Sequence, residues 1–267
     1  MKRSTRLGSP QRLALPPLFL AIALAAGDAL APYDLLADEL PQGGQVISGQ
    51  GSINQSGANM QIDTQTPRTG INWQKFSIGP DNKVHIQQPD GTSVTLNRVI
   101  GSDPSKIMGV LTSNGQVILL NPNGVWFGPN SRVSTSALLA SAGIITDEQA
   151  REFANGGKLD IQLKGLVRND GKISVFDNGT VALLGAQVEN AGVIQARKGQ
   201  VNLATGPRAT LDFHGDGLIS LAVGGSPAEA SSVDSSLKGG VSNSGQIEVG
   251  EGVVAMSAQR AAKHLDS

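Results

Sequence analysis

Apolar and polar residues alternate in short stretches from Val46 onward. Met60-Gln61-Ile62, Val84-His85-Ile86 and Val94-Thr95-Leu96 alternate, and the short apolar stretches Val46-Ile47 and Val117-Ile118-Leu119-Leu120 belong to the same series. A period of two sends successive side chains to opposite faces, so each stretch predicts a short β-strand. Asp90-Gly91 and Asn114-Gly115 interrupt the series with strong turn chemistry. One brief helix stands out: Thr146 caps Asp147 to Phe153, acids fill the first turn, and Asn155-Gly156-Gly157 stops it.

The second half repeats itself. Val167-Arg168-Asn169-Asp170-Gly171-Lys172-Ile173 returns 21 residues later as Val188-Glu189-Asn190-Ala191-Gly192-Val193-Ile194. It returns again as Val241-Ser242-Asn243-Ser244-Gly245-Gln246-Ile247, with a weaker copy at Phe213 to Ile219. Each strong copy precedes a second strand of form G-x-V-x-(L/M), at Gly179–Leu183, Gly199–Leu203 and Gly252–Met256. Two short strands cannot bury their apolar face alone. Stacking such units pairs every backbone edge and builds one continuous core, which is a parallel β-solenoid. The rival is a β-sandwich with coincidental turn spacing, and recurrence of both strand phrases argues against it.

The repeat also sets expectations for its corners. Asn and Gly tolerate the left-handed backbone of a sharp turn. Asparagines at one corner of successive coils can also join their amides into a ladder. Repeat corners are therefore expected at Asn169, Gly171, Asn190, Gly192, Asn243 and Gly245. A period of about 21 residues predicts roughly ten coils, about 50 Å of stack. Ser226 to Ser236 reads as a loop between coils, and 259–267 as a polar tail that frays or caps the open end.

The first residues change the picture of where the chain works. Lys2, Arg3, Arg6 and Arg12 precede an apolar run from Leu13 to Ala26, with small residues beyond. That is the layout of a secretory signal peptide, read as residues 1–31; cuts after Ala25, Gly27 or Ala31 all fit. Removing it leaves 17 basic and 21 acidic residues, net -4. This balance removes the electrostatic basis for nucleic-acid binding. No later segment suits stable membrane insertion. Charged residues are only 16%, glycine numbers 34, and cysteine is absent, so disulfides and thiolate chemistry are excluded.

Residues 71–128 carry a long ordered series. Ile71-Asn72-Trp73-Gln74-Lys75-Phe76-Ser77-Ile78-Gly79 is followed by Val84 to Pro89, ending Gln87-Gln88-Pro89. Leu96-Asn97-Arg98-Val99, Gly101, Pro104-Ser105-Lys106-Ile107 and Gly109 come next. Asn114-Gly115-Gln116-Val117 and Asn121-Pro122-Asn123-Gly124-Val125 close the series. It closely resembles the two-partner secretion domain at the start of filamentous haemagglutinins, high-molecular-weight adhesins and haemolysins. The likeness extends more weakly from about Gln45 to Phe153.

The resemblance implies a right-handed β-helix exported from Gram-negative bacteria, with no cofactor. It also implies a partner, the polypeptide-transport-associated modules of a dedicated outer-membrane β-barrel transporter that passes the chain unfolded. The family's NPNG signature falls on Asn121, Pro122, Asn123 and Gly124. By its own chemistry this tetrapeptide is a type I turn, with Pro presetting the second position. It is read as a corner-former rather than a direct contact. The NPNL signature of some relatives has no counterpart. Asn72, Trp73, Phe76, Asn97 and Arg98 are the candidates for recognition or capping. For both aromatic pairs, Trp73 with Phe76 and Trp126 with Phe127, packing is the favoured role.

Enzymes also use β-helices, so catalysis is the proper rival. Asp212, His214 and Asp216 form the one acid–histidine cluster, but no second carboxylate pair or Arg-x-Lys element accompanies it. His85 alternates with Val84 and Ile86 and points outward, and His264 lies near the terminus. No catalytic or metal-ligating residue is assigned.

The chain is expected to be all-β, a right-handed parallel β-helix with N-terminal capping strands and one short helix. The expected order is signal peptide 1–31, two-partner secretion domain 32–160, continuing β-helix repeats 161–258 and polar tail 259–267. The expected role is an exoprotein, secreted or at the cell surface by way of the periplasm, that its transporter recognises. A filamentous-haemagglutinin-like adhesin with surface glycans as further partner is the fuller form of this reading. A stand-alone adhesin and a polysaccharide-active enzyme are the alternatives.

Overall fold

The computed structural model describes residues 39–156, 158–213, 219–224 and 239–258, with 212–213 and 219–224 as backbone. The leader, the Asp212–His214–Asp216 side chains, the Ser226–Ser236 loop, His264 and the tail lie outside the described residues.

Three walls of parallel strands make up the coils. The first wall stacks Asn59–Thr64, Lys83–Gln87, Val110–Ser113, Arg132–Thr135, Lys172–Val175, Val193–Ala196 and Gln246–Glu248. The second stacks Arg68–Trp73, Val94–Val99, Gln116–Leu120, Ala137–Ser141, Thr180–Gly185, Gln200–Thr205 and Val253–Ala258. The third is shorter: Ser105–Ile107, Val125–Phe127, Leu166–Asn169, Gln187–Asn190 and Gly240–Asn243. At the N-terminal end the pairing turns antiparallel, Gln45–Ser48 against Arg68–Trp73 and Gly51–Ser56 against Asn59–Thr64. These are the expected capping strands.

The register shows why the sequence winds this way. Met60, Val84, Leu111, Val133, Ile173, Ile194 and Ile247 form one unbroken row down the first wall. Val117, Leu138, Val181 and Val201 form its counterpart on the second. All but Ile247 are buried, and together they line one dry interior. Fully burying a side chain of this size contributes about 1.5–3 kcal/mol, so each coil adds a comparable increment.

The described stack has seven coils, not ten, about 30 Å from first strand to last. Two detours between the second and third walls use the missing residues. The first holds Gly143–Ile144, the helix Asp147–Arg151, its 3-10 extension Glu152–Asn155 and Leu159–Leu163. The second holds Arg208–Phe213 and Ile219–Gly224. Their strands join into one antiparallel sheet. Phe213 and Ile219, the two ends of the weak repeat copy, pair antiparallel in this sheet rather than stacking on a coil.

This added sheet covers a second hydrophobic core. Leu96, Ile118, Leu139 and Leu184 point outward from the second wall and meet Phe153, Ile161 and Leu211. The helix starts as expected: Thr146 accepts from Gln149 N, and Gln149 reaches back to the Thr146 backbone in a complete capping box. Gly156 ends the segment at φ +94.

Candidate functional site

The NPNG tetrapeptide turns the chain between the second and third walls. Gly124 N–H donates to Asn121 O at 3.0 Å, closing a β-turn, and Gly124 adopts φ +113. Asn121 is fully buried. Its Oδ1 accepts from Asn123 N at 3.0 Å and Nδ2 at 3.1 Å. Its Nδ2 donates to Asp103 O at 2.9 Å and Ser105 Oγ at 3.0 Å. Asn123 Nδ2 adds a bond to Gly101 O at 2.9 Å. Both asparagines thus fasten this corner to the 101–105 segment of the preceding coil.

The Trp73 group forms the neighbouring anchor. Trp73 and Phe76 are buried, with ring centroids 5.4 Å apart at 81°, an edge-to-face pair. Trp73 Nε1 donates to Asn97 Oδ1 at 3.1 Å, so Asn97 meets the polar need of a core indole. Asn97 is itself fully buried, and its Nδ2 donates to Ile118 O at 3.4 Å. Phe127 is buried as expected, but Trp126 is not a core residue. It lies half-buried on the outer face of the third wall and donates to Asp170 Oδ2 at 2.7 Å. Alternation within Val125-Trp126-Phe127 is the reason.

Asn72 and Arg98 both face outward beside a groove of about 710 Å³. Val46, Ile100, Pro122, Ile144 and Arg151 complete much of its wall. Asn72 Oδ1 is buried there without a hydrogen-bond partner. Arg98 Nη2 reaches Asp147 Oδ1 at 2.6 Å and donates to Ile145 O at 3.4 Å, pinning the first detour to the coil stack. The hydrogen bond from Arg98, then its charge, holds the Asp147 carboxyl below the usual carboxylate range. For Asp170, burial pushes the carboxyl up, and hydrogen bonds from Arg168 and Trp126 outweigh it, leaving it low.

The repeat corners carry the expected ladder. Asn169 Nδ2 donates to Asn190 Oδ1, and Asn190 Nδ2 donates to Asn243 Oδ1, each at 2.7 Å. The glycine argument needs correction. Gly171, Gly192 and Gly245 do not have positive φ, nor do the three asparagines. A Cβ at Gly192 would strike the Gly171 carbonyl, and one at Gly245 the Gly192 carbonyl. Close stacking of coils, not a left-handed turn, demands glycine here. The left-handed non-glycine residues among those described sit at another corner, Asn178 at φ 65 and Lys198 at φ 54.

A capped stack of parallel coils with an asparagine-locked NPNG corner and a covering side sheet defines a β-helical secretion domain. The chain matches the TPS secretion domain family over residues 37–267 and belongs to that family. It is 35% identical over 223 residues to a heme/hemopexin-binding protein of Haemophilus influenzae (strain ATCC 51907 / DSM 11121 / KW20 / Rd). That alignment takes in 80% of this chain and 23% of the relative, so the chain spans about a quarter of the relative's length. A second Haemophilus influenzae heme/hemopexin-binding protein is 36% identical over 104 residues, 39% of this chain and 11% of that protein. Among solved structures, the HMW1 secretion domain from Haemophilus influenzae superposes with a TM-score of 0.67 at 28% identity. The match covers 80% of this chain and 55% of that one. These relatives are secretion domains and heme/hemopexin-binding proteins rather than known enzymes.

Proposed function

We propose that this chain enters the periplasm behind the leader read in residues 1–31. There the polypeptide-transport-associated modules of an outer-membrane β-barrel transporter recognise it, and it builds its coils outside. The family match over 37–267 is the observation that carries this reading. The fold supports it physically, because each coil completes its hydrogen bonds on the coil before it. A chain delivered from its N-terminal end gains burial and ladder bonds coil by coil. In this reading the NPNG corner serves export by holding the fold, since Asn121 spends its hydrogen bonds within the chain.

Heme and hemopexin binding belongs to the whole named relative, of which this chain matches 23%. Delivery is the role we assign to the shared part, and adhesion to surface glycans belongs to the same proposal as a further activity. Release of the full chain into the medium of a Gram-negative host tests delivery, with and without the transporter encoded in the same genome. Release is expected only with the transporter. Equal release without it, or retention in the periplasm despite it, would overturn the proposal.

A further inference from the structure

The outer face of the first wall holds a feature that neither coil stacking nor export requires. Arg132 and Lys172 lie directly opposite each other on adjacent parallel strands, in register. Both are exposed. Neighbouring strands are about 4.8 Å apart, and like charges placed opposite one another destabilise a sheet. Several other cations have carboxylate partners, as in Lys75–Asp103, Arg168–Asp170 and Arg197–Asp177. Arg132 and Lys172 have none among the described residues.

These two cations line a groove of about 560 Å³ with Asn130, Ser131, Ser134 and Ser174. Two residues along each strand, on the same face, Ser134 and Ser174 also pair in register. The sheet therefore presents two cations and two hydroxyls as the corners of one rectangle. Ser131 closes the end of the groove, with its hydroxyl packed against Gly171. It is 1% exposed, lines the groove, and its hydroxyl has no hydrogen-bond partner.

We infer that this groove binds an oxyanion ester, the sulfate or phosphate group of a carbohydrate chain. Such a group offers three free oxygens, which suits two adjacent cations and a hydroxyl better than the two oxygens of a planar carboxylate. Ser174 Oγ already donates to Gln195 Oε1 at 3.2 Å, leaving Ser134 as the hydroxyl that turns toward the ligand. None of the exposed large hydrophobic residues Ile100, Phe176, Val253, Val254 and Met256 lines the groove. A sugar-borne ester therefore fits this face better than a lipid headgroup, whose binding gains from apolar insertion. The site is independent of the export reading, so its variants are still released.

The test uses the released full chain and immobilised dextran sulfate, with carboxymethyl dextran, neutral dextran, inorganic sulfate and phosphatidylglycerol vesicles as comparisons. Dextran sulfate is expected to bind, inorganic sulfate to compete, and neutral dextran not to bind. Arg132→Gln with Lys172→Gln should weaken binding about ten-fold or more. Lys164→Gln with Arg197→Gln, which removes two cations outside the groove, should leave it nearly unchanged. Unaltered circular dichroism and melting would show that the variants fold. Equal weakening by both pairs, equal binding of carboxymethyl dextran, or stronger binding to the vesicles would overturn the inference.

Discussion

Leu183 and Leu184 are adjacent in one strand and both fully buried, yet they belong to different parts of the molecule. Leu183 points into the coil interior and Leu184 points out, beneath the added sheet. The interior is continuous down the stack, with the asparagine ladder at its corner. The outer core exists only where the two detours fold back. On the same outward row, Asn72 and Arg98 come before the buried stretch Leu120, Ser141, Leu184 and Ala204, and Ser257 follows it. The inner layer is a repeating scaffold, and the outer layer is laid upon it.

The largest effect should come from placing a charge in each core. Leu183→Asp puts an unpaired carboxylate in the dry interior, at a cost of several kcal/mol, and should abolish cooperative folding. Leu184→Asp should release the added sheet while the strand signal of the coils persists. Far-UV circular dichroism with limited proteolysis separates the two, and cuts confined to 142–165 and 206–239 are expected for the second variant. Equal collapse in both would erase the distinction between scaffold and covering layer.

A smaller effect concerns the ladder. Asn190→Ala leaves the Asn169 amide and the Asn243 carbonyl without partners and should cost about 1–3 kcal/mol in denaturant unfolding. Asn202, half-buried on the outward row of the second wall, provides the contrast. Asn202→Ala should stay within about 0.5 kcal/mol.

The inner layer was legible because alternation and the V-x-N-x-G-x-I phrase fix both its strands and its corners. The ladder, the capping strands, the short helix and the buried Trp73–Phe76 pair all follow from local chemistry. The outer layer has a signal of a different kind. Val117–Leu120 and Val181–Leu184 are continuous apolar runs, which denote a strand covered on both faces. Dividing the chain by the 21-residue period counted the detours as coils and gave ten coils instead of seven. The partnership of Trp73 with Asn97 and the crossing from Arg98 to Asp147 span 24 and 49 residues. No local pattern encodes such contacts.

The least effect belongs to the Arg98–Asp147 pin between the layers. Because Arg98 lowers the Asp147 carboxyl below the ordinary 3.8, the link contributes at neutral pH and is lost as acid takes the pH down through that lowered value. Arg98→Gln should return the Asp147 titration, followed by carboxyl carbon chemical shift, toward the ordinary value. An unchanged titration would show that the pin does not operate in solution.

Native-state hydrogen exchange compares the layers most directly, in the unaltered protein. Backbone amides of Val181 to Leu184 and Val201 to Leu203 should exchange slowest, and those of Leu159 to Leu163 and Ala209 to Leu211 measurably sooner. Loss of protection in the coils before the covering sheet, or in both together, would contradict the account of a scaffold with a layer built upon it.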